Sequence, residues 1–191
     1  MISLPTPFTE DRIRALHVGD TVEITGVIYT GRDAVHKYLH EGGALPDGVR
    51  LRDGLLYHCG PVVVKDARGQ WKAVAAGPTT SIREEPYAGT LIRSLGLRGI
   101  MGKGGMGERT LAACAECGCV YLHAVGGAAQ VLAEHIVQVR QVYFLKEFGS
   151  PEAIWEFAVE GFPAVVTMDS HGGSLHRDLE ISSRAALERL L

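Results

Sequence analysis

Three short segments of the chain hold the residue types needed to grip a carboxylic acid. In "GPTTSIR", residues 77–83, Gly77-Pro78 fixes a turn, Thr79 and Thr80 offer adjacent hydroxyls, and Arg83 follows four residues after Thr79. A guanidinium binds a carboxylate through a two-pronged hydrogen-bonded pair, so Arg83 can fix an acid beside a threonine. "IMGKGGMG", residues 100–107, surrounds Lys103 with glycines ahead of a predicted helix. Glycines let backbone N–H groups approach an anion, the helix N-terminus adds partial positive charge, and Lys103 adds a full one. "TGRD", residues 30–33, puts Arg32 at a predicted strand-to-helix junction. Converging, the three cations and the backbone at Gly104 would suit a dicarboxylate. The plainer alternatives are a tight connection with an exposed lysine and a helix cap followed by a solvated arginine.

Gly102, Gly104 and Gly107 also satisfy the G-x-G-x-x-G pattern. A dinucleotide fingerprint needs an acidic residue about twenty positions on. Here the next acid after the predicted helix is Glu134, and no glycine run is followed by Lys-Ser or Lys-Thr, which disfavours nucleotide binding.

Cys114, Cys117 and Cys119 form a C-x-x-C-x-C cluster, with Cys59 apart. Four thiols could hold a metal, but Cys114 and Cys117 fall on the last turn of an alanine-rich predicted helix, where free cysteines pack as small hydrophobes. His36 and His40 are four apart on a predicted helix and are expected at the surface, with His36 near the edge of the Arg32 site.

These residues need rigid elements to hold them. Val22, Ile24, Val27 and Ile28 read as a strand with a bulge at Gly26, and Ala34, Val35, Tyr38 and Leu39 as a helix stopped at Gly42-Gly43. Strands are expected on either side of a Gly60-Pro61 turn within 55–66, and at 71–77, 99–101, 119–125 and 139–145. Helices are expected near 88–95, 108–117 and 126–136. Ser150 is expected as an N-cap with Pro151 opening a helix, then two short strands at 157–161 and 163–169 and a closing amphipathic helix from Ser182. With 24 glycines and no low-complexity run, this reads as one turn-rich α/β domain over 1–191.

The net charge of −3 gives no electrostatic basis for nucleic-acid binding. No window reaches the roughly 18 apolar residues of a membrane span, and the N-terminus lacks signal-peptide features, so a cytoplasmic protein is expected.

The segments "TGRDAVHKYL", "LYHCGPV", "AAGPTTSIR", "GIMGKGGM", "VGGAAQVLA" and "EFGSPEAIWEFAVEGFPAVVTMDSHG" resemble, in this order, the class I, iron–sulfur-dependent fumarate hydratases. The likeness is to the C-terminal portion of the single-chain enzymes and the separate β subunit of the two-chain forms. The β subunit of L(+)-tartrate dehydratase is similar too. Glu84 departs from the commoner Arg-Met ending after the arginine. The resemblance implies a swivelling β/β/α domain with mixed sheets that completes an active site with an α subunit, in an α2β2 assembly. It implies a [4Fe-4S] cluster held by three α-subunit cysteines and by no residue of this chain, its open iron acting on the substrate hydroxyl. It implies proton transfer at Thr79 and carboxylate binding at Arg32, Arg83, Lys103 and Gly104. The expected reaction is reversible hydration of fumarate to (S)-malate. The alternatives are dehydration of tartrate to oxaloacetate and a non-catalytic anion- or nucleotide-binding module.

Overall fold

The computed structural model describes residues 1–190. In chain order the elements are β1 (Ile2–Pro5), α1 (Glu10–Arg14), β2 (Thr21–Thr30), α2 (Asp33–His40), β3 (Leu55–Tyr57), β4 (Val62–Lys65) and β5 (Trp71–Ala75). A single 3-10 turn, Ser81–Glu84, leads into α3 (Glu85–Leu95), β6 (Gly99–Gly102), α4 (Glu108–Cys117), β7 (Val120–His123) and α5 (Ala129–Glu134). Then come β8 (Ile136–Tyr143), α6 (Leu145–Phe148), β9 (Ile154–Met168) and α7 (Leu175–Glu188).

Strands β2, β3, β6 and β7 pair in parallel, and β9 runs antiparallel to both β7 and β2. Those pairings join the two ends of the parallel set through β9, so the sheet closes on itself. Of the remaining strands, β1 and β8 attach to β2 and β9, and β4 and β5 pair with each other as a separate antiparallel sheet. Alternation along the strands splits the core in two. Ile24, Ile28, Leu55, Tyr57, Met101 and Leu122 pack on one side with Trp155, Phe157 and Phe162. Tyr29, Leu56, Ile100 and Tyr121 face the other side, where Val35, Leu39, Ala88, Ile92 and Leu111 of α2, α3 and α4 cover them. The result is an α/β fold with mixed sheets, as the sequence leads one to expect.

The strand bulge falls at Gly26, where the β2–β9 register shifts. Its φ of +123° and the Thr6 hydroxyl packed where a Cβ would lie both require glycine there. Helix α4 stops at Gly118 in the left-handed conformation.

Two expectations fail between residues 150 and 169. Ser150 and Pro151 open no helix; they form a turn in which the Gly149 carbonyl accepts from the Ala153 N–H at 2.9 Å. The following residues alternate buried and half-buried with period two, and the strand ladder takes them. The two short strands are one, β9, which runs unbroken through Gly161 and Pro163 because β2 supports it along one edge. The closing helix starts seven residues earlier than expected, at Leu175, and none of its residues is buried.

Candidate functional site

Each functional segment sits at a strand end. Beyond β2, Gly31 donates to the Tyr57 carbonyl at 2.9 Å, and Arg32 occupies the N-cap position of α2. The buried Thr30 hydroxyl accepts from the Trp155 N–H at 2.9 Å and donates to the Ala153 carbonyl at 3.2 Å. This fixes the start of β9 beside α2. Glu152 thereby reaches the helix: it accepts from the Ala34 N–H at 3.0 Å and lies 3.3 Å from Arg32 Nε.

Residues 78–81 behave as an extra strand laid across the ends of β3 and β6. The Thr79 N–H donates to the His58 carbonyl at 2.7 Å, the Lys103 N–H to the Thr79 carbonyl at 3.2 Å, and the Ser81 N–H to the Lys103 carbonyl at 2.9 Å. Thr79 and Lys103, 24 positions apart, thus become backbone neighbours. Gly102 makes the stacking possible, because Ser81 Oγ and the His58 ring lie where its Cβ would be. Arg32 joins from the other side, its Nη1 only 2.7 Å from where a Cβ on Gly60 would stand. Arg83 and Arg32 share one carboxylate, Asp33, which pairs closely with Arg83 Nη2 and lies 3.9 Å from Arg32 Nη2. Lys103 runs past Gly126 and has no ion-pair partner among the described residues.

The structure therefore gathers Arg32, Thr79, Arg83, Lys103 and Gly104 at one end of the parallel strands. Arg83 and Gly104 are exposed and the other three half-buried. A cleft of about 460 Å³ between β4–β5 and β8 lies elsewhere.

The glycine loop differs from expectation in one respect. The α4 N-terminus offers no free anion seat, because the Glu85 carboxylate already fills it. Glu85 accepts from the N–H groups of Gly107, Arg109 and Thr110 at 2.8, 3.0 and 3.2 Å and from the Thr110 hydroxyl at 2.6 Å. What the loop presents outward is Lys103 and the backbone at Gly104, which has a φ of +81°.

Beneath this surface lies a buried polar group that the sequence did not signal. His36 is fully buried, not at the surface, while His40 is exposed, so the two form no metal-binding pair. His36 Nδ1 lies 2.9 Å from the Arg32 carbonyl, which can only accept, so this nitrogen carries the proton. Burial pushes His36 down to about 4 and holds His58 well below the ordinary imidazole range. The two rings meet edge-on at 4.8 Å. His58 Nδ1 is 2.8 Å from Ser81 Oγ, to which Tyr121 donates at 2.8 Å. Glu84, also fully buried, has its Oε2 3.6 Å from His36 Nδ1. The 3.6-residue period assigned Val35 and Leu39 to the core, and His36 adjoins Val35 on that arc. That adjacency was the one usable signal.

The thiols are split. Cys59 lies in the core on one side of the sheet and Cys114 and Cys119 on the other, so the four cannot share one ion. Burial raises the Cys59, Cys117 and Cys119 thiols, whereas metal and cluster ligands are thiolates. Among the described residues no three His, Cys, Asp or Glu gather as a metal site.

The fumarase C-terminus family model matches residues 1–179. The chain is 57% identical over its whole length to a protein of Geobacillus stearothermophilus provisionally named a class I fumarate hydratase, of which it spans 36%. It is 38% identical to a provisionally named L(+)-tartrate dehydratase subunit beta of Methanocaldococcus jannaschii, over 96% of this chain and 95% of that one. It is 33% identical to the L(+)-tartrate dehydratase subunit beta of Escherichia coli, over 90% and 85%.

Proposed function

This chain belongs to the fumarase C-terminus family, and we propose that it acts as the β subunit of a class I fumarate hydratase, converting fumarate and water reversibly to (S)-malate with an α subunit. The observation that carries this reading is the backbone stitching of Thr79 to Lys103 beside the Arg32–Asp33–Arg83 cluster. It supports the reading by bringing the Thr79 and Lys103 backbones together near two arginines that share a carboxylate.

That arrangement suits proton removal next to a carboxylate. In the dehydration direction the C3–H bond of malate breaks, its electron pair becomes the new double bond, and the C2–OH bond breaks to release hydroxide. Negative charge accumulates on the carboxylate beside C3 as the proton leaves. Fixed guanidinium and ammonium groups stabilise that charge more in the transition state than in the ground state. Arg83 and Arg32 would hold one substrate carboxylate and Lys103 with the Gly104 backbone the other, leaving Thr79 to exchange the proton. A threonine hydroxyl needs a partner to act as a base. Asp33 is paired with Arg83, Glu84 lies against His36, and Glu85 caps α4, so none of the three is free to serve. We assign that partner, and the iron–sulfur cluster for which the cysteines here are unsuited, to the α subunit. Nothing in the geometry prefers fumarate to tartrate, and tartrate dehydration is the second reading, since chains of matching length bear that name.

The test is to co-express the chain with its α partner, assemble the pair without oxygen and assay both dicarboxylates. Thr79→Ala should lower kcat by about 10²–10⁴-fold, the usual yield of a positioned acid–base group, in a pair that still assembles. A pair that turns over neither acid, or one indifferent to Thr79→Ala, would overturn the proposal.

A further inference from the structure

Glu84 is the most unusual side chain near the site. It lies in the 3-10 turn between Arg83 and Glu85, fully buried, with neither carboxyl oxygen hydrogen-bonded. The charged and titratable groups around it come from every neighbouring element. From α2 come Asp33 and His36, from the turn before β9 comes Glu152, and from its own turn comes Arg83; Arg32, at the α2 cap, joins through Asp33 and Glu152. His58 lies beyond His36. His36 is neutral at ordinary pH and spends its Nδ1 proton on the Arg32 carbonyl, so it gives Glu84 no positive charge. Two guanidiniums therefore face three carboxyl groups. With Glu84 protonated the five groups balance; with Glu84 ionised they carry one excess negative charge, buried beside the cations that must attract an anion.

We infer that Glu84 is a positioning residue that must hold a proton for Arg32 and Arg83 to accept a substrate carboxylate, so that dicarboxylate binding and protonation of Glu84 are coupled. The inference rests on the dicarboxylate reading above. An arriving carboxylate is one more negative charge near Glu84 and favours its protonated form; by reciprocity, ionised Glu84 disfavours the ligand. Burial first, then Asp33, opposed by Arg83 and joined by Glu152, raises Glu84 to about 8. The coupling therefore falls within a measurable range. A methionine at this position would have a similar length but no proton to lose.

The experiment uses the assembled two-subunit enzyme. KM for fumarate and for tartrate is followed from pH 6.5 to 9.5, and binding of succinate, which cannot be hydrated, is measured calorimetrically in two buffers of different ionisation heat. In the unsubstituted enzyme the KM should rise about tenfold per pH unit once Glu84 ionises, with kcat changing less, and succinate should bind with net proton uptake near pH 8–9. In both Glu84→Gln and Glu84→Met the rise should flatten to within about twofold and the uptake disappear. Lys103 remains in both variants, so any alkaline dependence it causes will persist and can be subtracted. Turnover with the alkaline rise and proton uptake intact in both variants overturns the role of Glu84 while leaving the enzyme assignment standing. Succinate binding with Glu84-dependent uptake, but no turnover of either acid, keeps the inference and removes the assignment. Absence of both removes both.

Discussion

Arg83 and Arg32 meet on the Asp33 carboxylate, which orients both guanidiniums. Orientation is what lysine cannot reproduce, because an ammonium lacks the planar fork. Arg83→Lys should therefore lower kcat/KM of the assembled enzyme by about 10–100-fold, the loss of one charge-assisted pair of about 1.5–3 kcal/mol, despite the retained charge. A steady-state assay of the variant pair checks this, and an unchanged kcat/KM would mean that Arg83 acts through charge alone. Arg32 and Thr79 were legible as candidate residues because turn chemistry and residue type mark them. Glu84 was not, and His36 only through its place beside Val35 on the helix, since burial is a property of neighbours.

At the scale of elements, carboxylates from other segments complete the two helix starts nearest the site. Glu152 serves α2 and Glu85 serves α4. A glycine-rich loop before a helix suggests an open anion seat in sequence, yet here a carboxylate 22 positions upstream of Gly107 occupies it. Glu85→Ala frees three backbone N–H groups and the Thr110 hydroxyl, and should destabilise the chain by about 2 kcal/mol in urea unfolding, at the upper end for a cap. Gly102 is the other dependence. A methyl there overlaps Ser81 Oγ. Gly102→Ala should cost about 1–3 kcal/mol as overpacking and should lower activity further, by moving residues 79–81 relative to Lys103. Denaturation and turnover measured on the same variant separate the two effects.

Across the whole molecule, buried titratable groups give stability opposite pH slopes. An unfolded Glu84 would ionise near 4.5 and the folded one near 8, so between these values the unfolded chain releases a proton that the folded chain keeps. Its contribution is full below about 4.5 and is lost as pH rises to about 8. His36 works the other way: its ordinary 6.5 falls to about 4, so its contribution is present above 6.5 and is lost as pH falls toward 4. Above 6.5 the Glu84 effect stands alone of the two. Stability should decline by about 2 kcal/mol from pH 6.5 to 8, at about 1.4 kcal/mol per unit. Glu84→Gln should remove that decline, as urea midpoints at the two pH values will show.

The sequence alone determined most strands and helices, the Gly26 bulge, the Gly118 stop and the candidate residues Arg32, Thr79, Arg83, Lys103 and Gly104. Those features depend on side-chain period, glycine conformation and residue chemistry, all of which are local. It missed at 150–169, where a helix-start signal at Ser150-Pro151 lost to a strand supported by β2 and β8. Only the tertiary structure decided that Thr79 and Lys103 are backbone neighbours, that Glu85 fills the α4 N-terminus, and that Glu84 and His36 lie buried beneath the arginines. Each of these follows from long-range pairing that brings distant segments to one end of the sheet, and the pairing is set by how the whole apolar surface packs.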